Sequence, residues 1–393
     1  MSREVVIVGA ARTPIGAFLG SLSSVPGPRL GAVAIKAALE RAGVKPEEVD
    51  AVYMGCVLQG GVGQAPARQA MRYAGLPDKV PAVTVNKVCG SGMQTVIYGV
   101  QAIKAGDAEV VIAGGMESMS NAPYVTHGLR GGARMGHHEI KDMMIFDGLW
   151  DPYSDQHMGM CGEKCAAEQG FSRAAQDEFS KESTLRAQKA QVEGLFKPEI
   201  APVEVPQRKG EPILVADDDG PKNAKPDKLT SLRPAFKKDG TITAGNASSI
   251  NDGAAALVLM SEERAKKEGR TILGRIRSYA SFSREPVDFT IAPVDAMKIA
   301  LDKANLKTSD IDLFEVNEAF AVVTMAAAKG LELPMDRVNV RGGAVVLGHP
   351  IGASGSRIIV TLLQAMKDLD KKRGMAGICI GGGEALAMVI ERP

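Results

Sequence analysis

The chain carries the same segment twice. Residues 34–55 (AIKAALERAGVKPEEVDAVYMG) align without a gap to residues 296–317 (AMKIALDKANLKTSDIDLFEVN), with seven of 22 positions identical at an offset of 262. At an offset of 263 the match resumes, placing Ser91-Gly92 on Ser354-Gly355 and Gln101-Ala102 on Gln364-Ala365. The identity is low. Matches in the same order at nearly one offset are nevertheless what a duplicated domain leaves behind, and the period is far too long for a solenoid. The expectation is two similarly folded halves packed together.

Each half alternates strands with helices. Residues 5–8 form a β-branched run ending at Gly9, and residues 10–20 read as a Gly/Pro loop. Residues 30–42 repeat apolar positions at helical spacing, with Gly43 as C-cap. A strand at 49–54, a helix at 64–73, a strand at 83–88, a helix at 93–104 and a strand at 109–113 follow. This alternation predicts an α/β fold with a largely parallel sheet. Between about Ser118 and Ala244 the pattern breaks, apart from a charged helix at 171–190. That length reads as a loop-rich insertion that binds something. A strand returns at 254–260. The implied division is 1–118 with 250–268 as the N-terminal half, 119–249 as the insertion, and 269–393 as the C-terminal half.

Composition excludes several classes. Lys and Arg total 47 against 46 Asp and Glu, a net charge of +1. No basic field argues for nucleic acid or an anionic membrane. No apolar run approaches the ~20 residues of a spanning helix. The five cysteines lack framework spacing, which suits free thiols in a reducing compartment. The chain opens directly into a strand, so a cytoplasmic protein is expected.

Chemistry concentrates in glycine-rich turns. Cys89, in VNKVCGSGMQ, sits just ahead of a helix, where unpaired N–H groups and the helix dipole favour a thiolate. A lone cysteine is more often a small core residue. The repeat adds to the case: at offset 263 Cys89 falls on Gly352, three residues after His349 in GGAVVLGHPIGASG. Two equivalent helix starts brought together would set a thiol beside an imidazole able to deprotonate it. Cys379 ends a strand that runs into three glycines, CIGGG, a run suited to presenting N–H groups to an oxyanion. Asn317 begins NEAF and alone reads as an N-cap. His157, Cys161 and Cys165 recur at i, i+4, i+8, but three ligands along one helix face do not converge, so no metal is expected. Two cysteines and one histidine, split over two halves, fit carbon–carbon bond chemistry on thioesters.

The segments VNKVCGSGMQ, GNASSINDGAAA, NEAF, GGAVVLGHPIGASG and CIGGG, in this order and spacing, resemble the thiolases, and the likeness spans essentially the whole chain. Within the family the segment LRGGARMG at 129–136 and HMG at 157–159 are similar to the biosynthetic, acetyl-CoA acetyltransferase type. The resemblance implies a five-layered αβαβα thiolase-like fold with two α/β halves in pseudo-twofold arrangement. It implies Cys89 as the acylated nucleophile, His349 as its base and Cys379 as the second acid/base. One oxyanion hole would use His349 and a water on Asn317; the other would use the N–H groups of Cys89 and Gly381. Ser248 matches a pantetheine contact, and Leu149, His157, Met158, Phe236, Ala244, Ala319 and Phe320 match the pocket lining. Residues 129–136 match a loop that joins tight dimers into a homotetramer. The implied partners are acetyl-CoA, acetoacetyl-CoA and CoA, with no permanently bound cofactor. Glu384 stands where biosynthetic relatives often carry a small or apolar residue. The competing readings are a broader 3-ketoacyl-CoA thiolase, a ketoacyl-synthase-like condensing enzyme, and a non-catalytic acyl-CoA carrier. A thiol-redox or zinc protein built on His157 is a further one.

Overall fold

The computed structural model describes residues 3–393. Its frame is a mixed sheet whose principal strands are β1 (Val5–Arg12), β2 (Ala51–Gly55), β3 (Ala82–Val85), β4 (Val110–Ser118), β5 (Asn251–Ser261), β6 (Gly274–Ser283), β7 (Leu313–Val316), β8 (Arg373–Ile380) and β9 (Glu384–Glu391). The helices that organise it are α1 (Gly27–Ala42), α2 (Pro66–Tyr73), α3 (Ser91–Ala105), α4 (Met158–Gln169), α5 (Arg173–Val192), α6 (Ala292–Ala304), α7 (Ala321–Leu331) and α8 (Ser354–Asp368).

The strand order is β7-β8-β9-β6-β1-β5-β4-β2-β3, with the short strand Gly16–Ala17 on β5. Read outward from the β1/β6 junction, each half repeats the same arrangement. The junction is thin: only Val6 and Ile7 pair with Arg275 and Gly274. The duplication is equally plain in the helices. Helix α3 and helix α8 span equivalent residues at offset 263, and α1 and α6 end at equivalent residues at offset 262. Both α1 and α6 stop on a left-handed residue, Gly43 (φ 62°) and Asn305 (φ 54°). Asparagine tolerates that conformation better than other side-chain-bearing residues.

Strand periodicity sorts the core into layers. In β1, Val6 and Val8 face α1 and α2, whereas Val5 and Ile7 face α3 and α8. In β9, Leu386, Met388 and Ile390 face that same central helix pair, and Ala385, Ala387 and Val389 face α6 and α7. The result is helix, sheet, helix, sheet, helix: the five layers expected. The sheet is not largely parallel. Strand β1 runs antiparallel to β5 and β5 antiparallel to β4, and β6, β9 and β8 repeat that pattern; only β2, β3, β4 and β7, β8 pair in parallel. Alternation of elements cannot reveal this, because the antiparallel strand β5 arrives after the whole insertion.

Two local expectations also shift. Strand β1 runs on through Arg12, past Gly9. Strand β4 continues through Gly114 and Gly115 to Ser118, because a Cβ at Gly115 would lie 2.0 Å from the Gly352 carbonyl oxygen. These glycines admit a neighbouring backbone and do not end the strand. Between β4 and β5 lies the irregular region, which contains α4, α5 and several two- or three-residue ladders. It is fastened to the first strand by Arg12, whose fully buried guanidinium pairs with Glu199 (2.6 Å) and with both oxygens of Asp218 (2.7 and 2.9 Å). Asp218 also accepts from the Ile15 N–H at 2.7 Å. Within the acidic run 217–219, Asp218 is therefore a buried anchor, while Asp217 is exposed. Removing one partner would strand a charge, at a cost of about 3–5 kcal/mol.

The central helices meet at their N-termini, where there is no room for a side chain. A Cβ at Gly92 would lie 2.8 Å from the Ser356 nitrogen, and one at Gly355, its repeat equivalent, 2.5 Å from the Met93 nitrogen. Gly92→Ala is expected to cost about 3 kcal/mol through backbone displacement. Gly131→Ala, where nothing lies within 4 Å of the added carbon and φ is not positive, is the control. Thermal unfolding of the two variants checks the contrast, and equal melting temperatures would contradict it.

Candidate active site

Cys89 reaches the site from a strained turn. After β3 the chain turns through Val88, a β-branched residue held at φ 44°. The Asn86 side chain accepts from the Val88 N–H (3.0 Å), and Ser91 Oγ accepts from the Lys87 N–H (2.8 Å). Left-handed valine is costly and persists only where its surroundings over-determine it. Cys89 then lies just ahead of Gly90, the N-cap of α3, recessed, with part of its surface open to a cavity.

His349 arrives on the equivalent turn of the other half. Its backbone N–H donates to Asn251 Oδ1 (2.9 Å), and Nδ1 lies 2.6 Å from Ser354 Oγ. Ser354 spends its single hydrogen on the Pro350 carbonyl (2.9 Å), so its oxygen accepts from Nδ1–H. Nε2 is then the lone-pair nitrogen. It is buried and has no partner. Burial and the charge of Arg357 push the imidazole down to about 3, so it rests neutral and able to accept a proton.

Burial has the larger effect on Cys89 as well. It pushes the thiol up to about 11, against the N–H groups of Gly381 and of Cys89 itself, which are directed at the sulfur. The thiolate expected from the helix N-terminus is therefore not the resting form. The pair rests as thiol and neutral imidazole, and charge develops only as the proton moves. Cys379 is fully buried at the end of β8, and burial, then the neighbouring Cys89, hold its thiol well above the ordinary range. Asn317 follows β7, fully buried, with both ends of its amide unpartnered. A buried amide left unpaired is expensive unless it meets water or a ligand.

Cys89, His349 and Gly381 open onto one apolar cavity of about 240 Å³. Its wall includes Leu149, His157 and Met158, then Phe236, Ser248, Ala319 and Phe320. Ala244 lies outside this wall, exposed in the turn before Asn246. Cys379 and Asn317 stand behind the surface and do not line it. His157 caps α4, its Nδ1 accepting from the Gly159 N–H (3.1 Å), and its ring stacks on Phe236 at 4.7 Å. It precedes the helix that bears Cys161 and Cys165, so the three do not share one helix face.

Residues 5–263 match the thiolase N-terminal domain and residues 270–392 the thiolase C-terminal domain. The chain belongs to the thiolase family. It is 53% identical over 390 residues to the acetyl-CoA acetyltransferase of Cupriavidus necator, covering 99% of each chain. The acetyl-CoA acetyltransferase of Pseudomonas aeruginosa is 51% identical over 391 residues, covering 99% of this chain and all of that one. A protein of Staphylococcus aureus (strain COL) named probable acetyl-CoA acyltransferase is 48% identical over 390 residues, covering 99% of each. This thiolase is accordingly an acyltransferase.

Three polar residues that the sequence reading passed over hold the thiolase site together. Ser354 and Asn251 fix the tautomer and the backbone of His349, as above. Glu117, buried at the end of β4, accepts from the N–H groups of Val57 (3.0 Å), Leu58 (3.1 Å) and Gly352 (2.9 Å). It thus ties the first half to the turn that bears His349. The available signal was an acid following a buried strand, AGGMES, and nothing local distinguishes it from a surface residue.

The buried acids give the stability a pH signature. Burial raises Glu117 to about 7 and Glu315 to about 8. Both bind protons more tightly folded than unfolded, so each contributes stability below about pH 4.5 that is lost as pH rises through 7 and 8. His349, held low, acts oppositely, removing stability only below about pH 6.5. The melting temperature is expected to fall between pH 6.5 and 8.5, and Glu117→Gln to flatten the lower part of that fall. Thermal unfolding at fixed ionic strength tests this; a rise across the window would contradict it.

Proposed function

We propose that the protein is an acetyl-CoA C-acetyltransferase, condensing two acetyl-CoA reversibly to acetoacetyl-CoA and CoA through an acetyl-Cys89 intermediate. One observation carries this reading: a thiol and an imidazole with a free Nε2 open onto one small apolar cavity, with a second buried thiol directly behind.

In the first half-reaction Cys89 Sγ attacks the thioester carbonyl while His349 Nε2 takes the thiol proton. The oxyanion rests on the N–H groups of Cys89 and Gly381. Collapse expels CoA, which leaves with the proton from His349. In the second, Cys379 passes its proton to His349, neutral again once CoA has left, and as thiolate removes an α-proton from another acetyl-CoA. The enolate oxygen is held by the Nε2–H of His349, now protonated, and a water on Asn317, whose two unpaired amide ends suit that task. The enolate carbon attacks acetyl-Cys89, and the departing Cys89 sulfur recovers a proton from His349, which leaves both thiols and the imidazole neutral. A neutral resting pair is compatible with this scheme, because the proton moves as the bond forms. No permanent cofactor enters it.

The cavity, about 240 Å³ and below the ~300–1,000 Å³ of drug-sized sites, suits a short acyl group, with Met158 and Phe320 closing it. Ser248 and His157 are assigned to pantetheine, with Leu149, Phe236 and Ala319 along its path. Ala244, on the exposed turn, is assigned to the outer part of CoA. A homotetramer, a dimer of dimers, is supported by the loop at 129–136, where Met135 is 99% exposed and Leu129 is exposed as well. The five unpaired cysteines suit the reducing cytoplasm.

Cys379→Ser is expected to keep the burst of CoA release from acetyl-CoA and to lose exchange of the acetyl α-protons with deuterated water. Retained exchange would remove Cys379 from the mechanism. For chain length, thiolysis of acetoacetyl-CoA is expected to exceed that of a long-chain 3-ketoacyl-CoA in kcat/KM. A preference for the long chain would instead favour a broad-range thiolase.

A further inference from the structure

The Lys87 ammonium is paired with the Glu384 carboxylate, side chains 297 residues apart in sequence. Among the described residues neither has another ion-pair partner. Their positions give the contact its meaning. Lys87 lies two residues before Cys89, in the strained turn. Glu384 opens β9, directly after Gly381-Gly382-Gly383. The two turns already touch, since a Cβ at Gly381 would lie 3.4 Å from Val88 Cγ1. Gly382 and Gly383 adopt φ 86° and 87°, a conformation glycine enters freely and leaves as freely. The far end of the turn is held by the Gly383 carbonyl, which accepts from the Arg284 N–H at 2.8 Å; the Lys87–Glu384 pair is a side-chain link from the turn to the Cys89 side. Neither Lys87 nor Glu384 lines the cavity.

We propose that the Lys87–Glu384 pair is a positioning clamp that fixes the gap between the Cys89 and Gly381 N–H groups. It rests on the reading of those groups as one oxyanion hole. A partly exposed ion pair of this kind adds little to global stability. Its value here is geometric: it acts on a transition state whose donors must both reach one oxygen. The clamp therefore affects the rate of acyl transfer and leaves acetyl-CoA affinity alone.

The test is single-turnover acetylation of Cys89 by acetyl-CoA in the full-length protein, followed by CoA release and intact mass. Lys87→Gln and Glu384→Gln are each expected to slow acetylation about tenfold, less than the ~10²-fold cost of a 1 Å misplacement. The KM for acetyl-CoA stays within about twofold, as expected when only transition-state interactions are lost. The exchanged protein, Lys87→Glu with Glu384→Lys, recovers most of the rate. Raising salt from about 0.05 to 1 M slows the wild type toward the single variants and leaves those variants unmoved. Wild-type rates in the single variants, or a loss that the exchange does not restore, overturn the clamp. Should either single variant fold poorly, Lys87→Arg decides: retained rate with retained salt dependence supports the clamp, and loss of the salt dependence overturns it. Cys89→Ala tests the underlying reading separately, since acetylation of that variant would dismiss the nucleophile whatever Lys87 does.

Discussion

The candidate active site depends on how closely two helix N-termini approach. Helices α3 and α8 are repeat equivalents, and they meet at Gly92 and Gly355, where a single Cβ would fall within 2.8 Å of the facing backbone. The Gly352 carbonyl is wedged into the same space, against Gly55 and Gly115. That contact fixes the turn before each helix relative to the other. One turn carries Cys89 and the other His349. A methyl group between the helices would move the thiol and the imidazole apart.

Close approach of backbones has an electrostatic consequence. The site is dry enough that desolvation outweighs the helix dipole. Cys89, Cys379 and Glu117 are all pushed toward their neutral forms, and His349 is held neutral as well. A site at rest without charge is inexpensive to bury, and its fixed donors act only when charge develops on the substrate. The N–H groups at Cys89 favour the thiolate, and burial outweighs them.

Around this core, buried polar residues tie together segments that are remote in sequence. Arg12 pins the insertion to the first strand through Glu199 and Asp218, and Glu117 fastens the His349 turn to the loop after β2. Such carboxylates lose hydration and regain it as several directed N–H bonds, which specify geometry more than they add stability. Lys87–Glu384 likewise joins turns that are remote in sequence, the one before Cys89 and the one after Cys379.

The amino-acid sequence by itself determined the duplication, most of the strands and helices, and the glycine-flanked Cys89, His349 and Cys379. Each is legible because it is written locally: helical and strand periods, left-handed caps, and residue order. Tertiary structure alone decided the mixed sense of the sheet, since β5 joins its neighbours only after the long insertion. It alone decided the roles of Glu117, Asn251 and Ser354, whose partners lie in other segments or depend on an exact turn. It placed Ala244 outside the cavity wall and made His157 a cap stacked on Phe236. It also set the protonation states, because desolvation is a property of surroundings that no residue carries in its own name.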